Sequence, residues 1–86
     1  MKVYVPTPLR SYTSQKGLVE AVGPTLGELL WDLDHRFPGF RFRIITEQDE
    51  IREHIKLFVN QEQVHELSLA LAPRDEVHII CALSGE

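Results

Sequence analysis

The 86-residue sequence has a single cysteine, Cys81, so it cannot form an internal disulfide bond. It has no apolar run near the roughly 20 residues that a membrane-spanning helix needs. Its first residues, 1–6, lack the apolar core of a signal peptide. The net charge is −4, which argues against the basic face that nucleic-acid binders carry. These absences predict a cytoplasmic protein that has neither a membrane nor a nucleic acid as a partner.

Residue patterns that support catalysis or metal binding are also missing. The four histidines, at positions 35, 54, 65 and 78, do not have the spacing of metal ligands. His78 and Cys81 fall in one predicted strand, where an odd spacing places their side chains on opposite faces. A chain this short has room for one core and little else. We therefore expect a protein that is not an enzyme and that binds no cofactor or metal itself.

The clearest predicted element is a helix that begins after Thr25. The sequence from Thr25 to Glu28 matches the capping-box pattern that starts many helices. The apolar residues that follow lie on one helical face: Leu26, Leu29, Leu30, Leu33 and Phe37. Pro38 and Gly39 then predict the end of the helix.

Short alternating segments predict strands on both sides of this helix. They are residues 2–6 and 18–22 before it, and 55–59 and 76–83 after it, with 63–66 as a candidate fifth strand. A polar loop is predicted at 11–17. The segment 40–45 is ambiguous, because it alternates like a strand but directly follows a helix stop.

This order of elements predicts an α+β fold of the β-grasp type. It is a mixed sheet of four to five strands with one main helix packed on one face, which needs two layers. The first and last strands are expected to pair as parallel neighbours at the centre. We predict a single domain over residues 1–86, with a flexible C-terminal tail at 82–86.

Four stretches of the chain resemble a known family. They are Val-Pro-Thr-Pro-Leu-Arg at 5–10, the helix and its Pro-Gly stop at 25–39, Leu-Phe-Val-Asn at 57–60, and the segment 75–85. Their order and spacing resemble the ubiquitin-like sulfur carriers of the MoaD/ThiS group, and most of all the branch that supplies sulfur for cysteine biosynthesis.

The resemblance implies a protein that is itself a substrate. An E1-like enzyme would use ATP to adenylate the carboxylate of a final Gly-Gly, and a sulfur donor would convert it to a thiocarboxylate. A sulfur-acceptor enzyme, either cysteine synthase-like or serving thiamin or molybdopterin, would then take the sulfur. Glycines suit such a tail because, without a Cβ, they pass through a narrow channel.

The last residues depart from this family pattern. The chain shows Ser84, Gly85 and Glu86, so that Gly85 matches the penultimate glycine and Glu86 replaces the reactive one. One interpretation is that a JAB-type zinc peptidase removes Glu86 and exposes Gly85. Another is a non-catalytic binding module that has lost the carrier terminus. A third is an altered terminus, or a variant still used as a carrier.

A partner-binding surface is predicted beside the tail. With a period of two, Phe58, His78 and Ile80 share the face of the sheet that the helix leaves open. An aromatic residue with aliphatic neighbours has the composition of an interface hot spot. The alternative is that these are ordinary exposed apolar residues, and that the segment 40–45 covers Phe58.

Three further residues complete the predicted partner-binding set. Leu83 and Ser84 belong to the tail. Arg10 follows the first strand, where the resemblance implies basic residues that meet the activating enzyme. The alternative for Arg10 is an ordinary surface arginine.

Overall fold

The alternating segments form one five-stranded mixed sheet in the computed structural model, which describes residues 1–81. The strands are β1 (Lys2–Tyr4), β2 (Leu18–Glu20), β3 (Ile55–Val59), β4 (Glu62–Val64) and β5 (Glu76–Cys81), in the spatial order β2-β1-β5-β3-β4. β1 and β5 are parallel and the other pairs are antiparallel. This is the predicted β-grasp arrangement, and the predicted tail at 82–86 lies outside the described residues.

The main helix, α1 (Leu26–Arg36), begins and ends where the sequence predicts. Thr25 Oγ1 accepts a hydrogen bond from the Glu28 amide at 3.2 Å. The amides of Leu26 and Gly27 donate to the carbonyls of Leu69 and Leu67 at 2.9 and 2.8 Å. The segment that crosses the start of the helix therefore satisfies amides that have no partner within the helix itself.

The core lies between α1 and one face of the sheet. The four helix leucines at 26, 29, 30 and 33 are fully buried. They join Val3, Leu57, Val77 and Ile79, which are 0–2% exposed, in one cluster. Alternate residues of β1, β3 and β5 therefore point toward α1, and the residues between them point to the opposite, open face.

The ambiguous segment is a short helix, α2 (Phe40–Ile44). Asp34 Oδ1 accepts hydrogen bonds from the amides of Gly39 and Arg41, both at 3.1 Å. Phe40 and Ile44 are fully buried while Phe42 is 50% exposed. A spacing of four residues between buried positions is helical, so the apparent alternation of this segment does not produce a strand.

Four other segments differ from the sequence prediction. β1 and β2 each end two residues earlier than predicted, at Tyr4 and Glu20. A 3₁₀ helix (Thr7–Thr13) replaces the first part of the predicted loop and buries Leu9 and Thr13. β4 begins one residue and ends two residues earlier than predicted, and Asn60 and Gln61 before it form a tight turn with positive φ angles of 51° and 76°. None of these differences alters the order of the sheet.

Candidate partner-binding face

A row of apolar and aromatic residues crosses the open face of the sheet. Tyr4 in β1 lies opposite Leu18 in β2 and His78 in β5, and His78 lies opposite Phe58 in β3. The four residues therefore occupy one line across four adjacent strands. Directly paired residues have their side chains on the same face, so this line forms a continuous surface. We call Leu18, Tyr4, His78 and Phe58 the aromatic row.

A stacked pair of rings lies at the centre of the aromatic row. The rings of Tyr4 and His78 are stacked, with centroids 4.3 Å apart and planes within 10° of each other. Tyr4, His78 and Phe58 are half-buried, while Leu18 is 46% exposed at the margin. Ile80, one step further along β5 on the same face, is 44% exposed. The surface combines ordered aromatic rings with accessible aliphatic side chains, a composition suited to protein binding.

Three predicted residues, Phe58, His78 and Ile80, are thus brought onto one face. The α2 helix packs against α1 and the 3₁₀ helix. Its residues Phe40 and Ile44 are buried in the core, on the side of the sheet where α1 lies. α2 leaves Phe58 half-buried among its neighbours in the sheet. The sequence prediction missed Tyr4 and Leu18. The signal for Tyr4 was available, because it lies between the inward-facing Val3 and Val5 in a strand predicted to pair with β5.

Arg10 has a defined place at the margin of this face. It lines an open groove together with Tyr4, His78 and Ile80. Its Nε donates a hydrogen bond to the Val5 carbonyl at 3.0 Å. Its guanidinium also covers Gly17, where a Cβ would lie only 2.8 Å from Arg10 Cζ. Arg10 therefore fastens the 3₁₀ helix to the end of β1 and holds a positive charge beside the aromatic row.

Cys81 is the last residue that the structure describes. It pairs with Ile55 across β5 and β3, is half-buried, and packs against the core. His78 faces the open side, as the odd spacing predicts. The predicted residues Leu83, Ser84, Gly85 and Glu86 follow Cys81 and lie outside the described residues.

Within residues 1–81, no group of three or more histidine, cysteine or acidic residues is arranged to hold a metal ion. In the same range, no helix has both the length and the apolar character needed to cross a membrane.

A model described as the ThiS family matches residues 3–85. The sulfur carrier protein CysO of Mycobacterium tuberculosis is 32% identical, over 96% of this chain and 95% of its own.

Solved structures agree with the sequence matches. A chain of the Amycolatopsis orientalis BexX/CysO complex superposes with a TM-score of 0.91 at 31% identity, over 99% of this chain and 98% of that one. Crystalline Mycobacterium tuberculosis CysO gives 0.90 at 31% identity, over 95% and 98%. SAMP1 from Haloferax volcanii gives 0.81 at 25% identity, over 100% and 98%.

Proposed function

This chain belongs to the ThiS family, and we propose that it is a small cytoplasmic sulfur carrier that works through Gly85 after Glu86 is trimmed. Its main support is the family match, which covers residues 3–85 and therefore nearly the whole chain. The 32% identity to a sulfur carrier over nearly the whole chain supports the same function and favours cysteine biosynthesis as the pathway.

The proposed chemistry takes place at the carboxylate of Gly85. An E1-like enzyme brings ATP to it, a carboxylate oxygen attacks the α-phosphorus, and pyrophosphate leaves. Hydrosulfide then attacks the acyl carbon and displaces AMP, which leaves a thiocarboxylate. An acceptor enzyme, cysteine synthase-like in this proposal, takes the sulfur. The carrier is thus a substrate and a donor, and ATP is used by its partner.

Trimming is part of the proposal because Glu86 is chemically unsuited to activation. Its γ-carboxylate would bring a second negative charge to the ATP phosphates. Once the α-carboxyl of Glu86 was activated, the γ-carboxylate would also be positioned to form a six-membered cyclic anhydride, and such intramolecular attack is very efficient. Glycine has no side chain to interfere in either way. We propose a JAB-type zinc peptidase as the partner that exposes Gly85.

The open face supplies the docking surface in this proposal. β5 lies at the centre of the sheet and carries His78 and Ile80 on the way to the tail. A partner that receives the tail would therefore meet the aromatic row and Arg10 at the same time. The CysO relative from Amycolatopsis orientalis is described in a complex with BexX, which supports the expectation that such carriers act with protein partners.

The experiment compares two chains that differ only in Glu86. Chains ending at Gly85 and at Glu86 are incubated with the E1-like enzyme of the same organism, ATP and sulfide, and their intact masses are measured. We expect sulfur-for-oxygen exchange in the chain ending at Gly85 and none in the other. Efficient and stable exchange on Glu86 would disprove the need for trimming. No exchange on either chain would favour the binding-module alternative.

That alternative is a β-grasp module that binds partners without covalent chemistry, and the ordered aromatic row is compatible with it. The intact mass of the protein from its native cells distinguishes the two functions. A chain that ends at Gly85, or that carries sulfur, supports the carrier. An unmodified chain that retains Glu86 under sulfur demand supports the module.

A further inference from the structure

A second groove lies away from the aromatic row, between α1 and the free edge of the sheet at β4. Its walls are Glu28 and Trp31 on α1, the loop at 49–53, and the segment at 63–67. Its volume is about 950 Å³. Tyr4, His78 and Ile80 line the other groove, near Arg10. The two surfaces are therefore separate candidates for binding.

The edge of β4 offers backbone groups to this groove. The backbone N–H of Asn60, the residue after β3, donates a hydrogen bond to the Glu76 carbonyl in β5. The backbone N–H and C=O groups of successive residues point to opposite sides of a strand. Those of Leu57 and Val59 therefore point toward β4, where these residues pair with Val64 and Glu62. Gln63 lies between these pairs, so its N–H and C=O point away from β3. An extended segment laid along β4 would find this donor and acceptor in position.

The groove also exposes apolar surface. Trp31 is 58% exposed, and it is stacked against the Arg41 guanidinium, which lies 4.0 Å from the ring centroid. Ile51, Val64 and Leu67 are half-buried in the walls and floor. An exposed aromatic ring above half-buried aliphatic residues is a surface against which one apolar side chain of a partner can pack.

Charge around the groove is mainly negative. Five carboxylates and three cationic side chains line it. Asp49 is paired with Arg41 at 3.1 Å. Arg52 donates its Nε to the Phe42 carbonyl at 2.7 Å and packs over the Phe42 ring. Among the described residues, Glu28, Glu50, Glu53 and Glu66 make no ion pair, and neither does Lys56, so four free carboxylates outnumber one free ammonium group around the apolar floor.

From these features we infer that the groove binds an extended, cationic segment of a partner protein by adding a strand to β4. Because alternate side chains of a strand share a face, the matching pattern is an apolar residue with Lys or Arg two positions before and after it. The apolar residue would pack on Trp31 and Val64, and the cations would face the free carboxylates.

The test uses the peptide acetyl-Arg-Thr-Val-Thr-Arg-amide, in which Thr favours the extended form. It is titrated into the ¹⁵N-labelled protein, and amide and indole shifts are followed by NMR. We expect the largest changes at the Gln63 and Val64 amides and the Trp31 indole. A charge-reversed peptide, acetyl-Glu-Thr-Val-Thr-Glu-amide, should bind at least about tenfold more weakly, because it repels the free carboxylates.

Matched variants distinguish binding in the groove from a general attraction of the cationic peptide to an acidic protein. Glu28→Gln should weaken binding about twofold to fivefold, the range of an exposed ion pair. Glu20→Gln removes the same charge in β2, where the side chain is 70% exposed and lies 3.5 Å from the N-terminal ammonium group, and should leave binding unchanged. Trp31→Ala should weaken it about tenfold, and the spectra themselves show whether each variant is folded.

Four results would overturn the inference. One is equal weakening by Glu20→Gln and Glu28→Gln, and another is comparable affinity for the charge-reversed peptide. The third is a shift pattern centred on Tyr4 and His78 instead of Gln63, and the fourth is the absence of shifts at millimolar peptide. The inference does not rest on sulfur transfer, so it can fail while the carrier function holds.

Discussion

The side chain of Asn60 connects the β3–β4 turn to the start of β5 by two hydrogen bonds. Its Nδ2 donates to Asp75 Oδ1 at 2.8 Å, and its Oδ1 accepts from the Glu76 amide at 3.0 Å. Its φ is 51°, a conformation that glycine adopts without strain. We expect Asn60→Ala to lower the free energy of unfolding by about 1–3 kcal/mol, from two lost hydrogen bonds and an unfavourable φ. Asn60→Gly should cost less, because it loses only the hydrogen bonds. Urea unfolding of both variants measures this, and equal losses would contradict the role of the φ angle.

Asp32 links the chain before α1 to the helix and makes stability depend on pH. Burial tends to raise the pKa of its carboxyl, but hydrogen bonds from the Val22 amide at 2.9 Å and from Arg36 Nε at 2.8 Å together lower it. A lowered pKa in the folded state stabilises the protein above the ordinary carboxyl pKa, and this stabilisation disappears as the pH falls through the folded value.

Asp32→Asn tests this contribution. At pH 7 it should reduce the free energy of unfolding by about 0.5–1 kcal/mol, since the pair is partly solvent-screened. The difference from the wild type should begin to shrink as the pH falls below about 4, where the carboxyl of the unfolded chain takes up a proton. It should disappear at lower pH, once the folded-state carboxyl is protonated as well. Urea titrations between pH 2 and 7 measure the effect. A difference that stays constant over this range would show that the charge is not responsible.

At the scale of elements, α2 explains how an alternating segment becomes a helix. Phe40 is fully buried and meets Tyr12 edge-on, with ring centroids 6.4 Å apart, while Phe42 is half exposed. We expect Phe40→Ala to cost about 3–5 kcal/mol and Phe42→Ala less than about 1 kcal/mol. Thermal unfolding of the two variants gives the comparison. A strand would bury both rings on one face, so similar losses would contradict the helix.

At the scale of the whole molecule, one face of the sheet packs in the core and the other is open to partners. Leu57 points into the core and is fully buried, while Ile80 on the open face is 44% exposed. We expect Leu57→Ala to cost about 2–5 kcal/mol of stability. Ile80→Ser should cost less than about 1 kcal/mol but weaken sulfur transfer to the acceptor enzyme about tenfold, if the open face is the docking surface. Denaturation and transfer assays on both variants measure these effects, and an Ile80→Ser protein with full transfer would move the docking surface elsewhere.

The sequence predicts most of this architecture because its signals are local and strong. The capping pattern at Thr25 and the leucine spacing predict α1, and the alternation of β3 and β5 predicts the two faces. The predicted family resemblance is confirmed by the match over residues 3–85. The helical state of α2 depends on a contact outside the segment, the Asp34 carboxylate at its start, which no pattern within 40–45 reveals.

Prediction of the candidate face was also incomplete, for a related reason. Phe58, His78 and Ile80 followed from alternation within single strands. Alternation between Val3 and Val5 also indicates that Tyr4 faces the open side, so this residue could have been included. Leu18 joins the row only through the register of β2 against β1, which depends on pairing between separate parts of the chain. The roles of the predicted binding residues stay predictions until the partner assays are made.

The central position of β5 has a consequence for how the chain acquires its structure. β5 pairs with β1 on one side and β3 on the other, so Val3 and Val77 meet although they lie near opposite ends of the chain. While the protein is being synthesised, the β1–β2 and β3–β4 hairpins emerge with no strand to join them. Closing such long loops costs entropy before the contacts form, which slows folding relative to helical proteins. The sheet must therefore assemble in a late step after β5 has left the ribosome, because the strand translated after the other four is the one that joins the two hairpins.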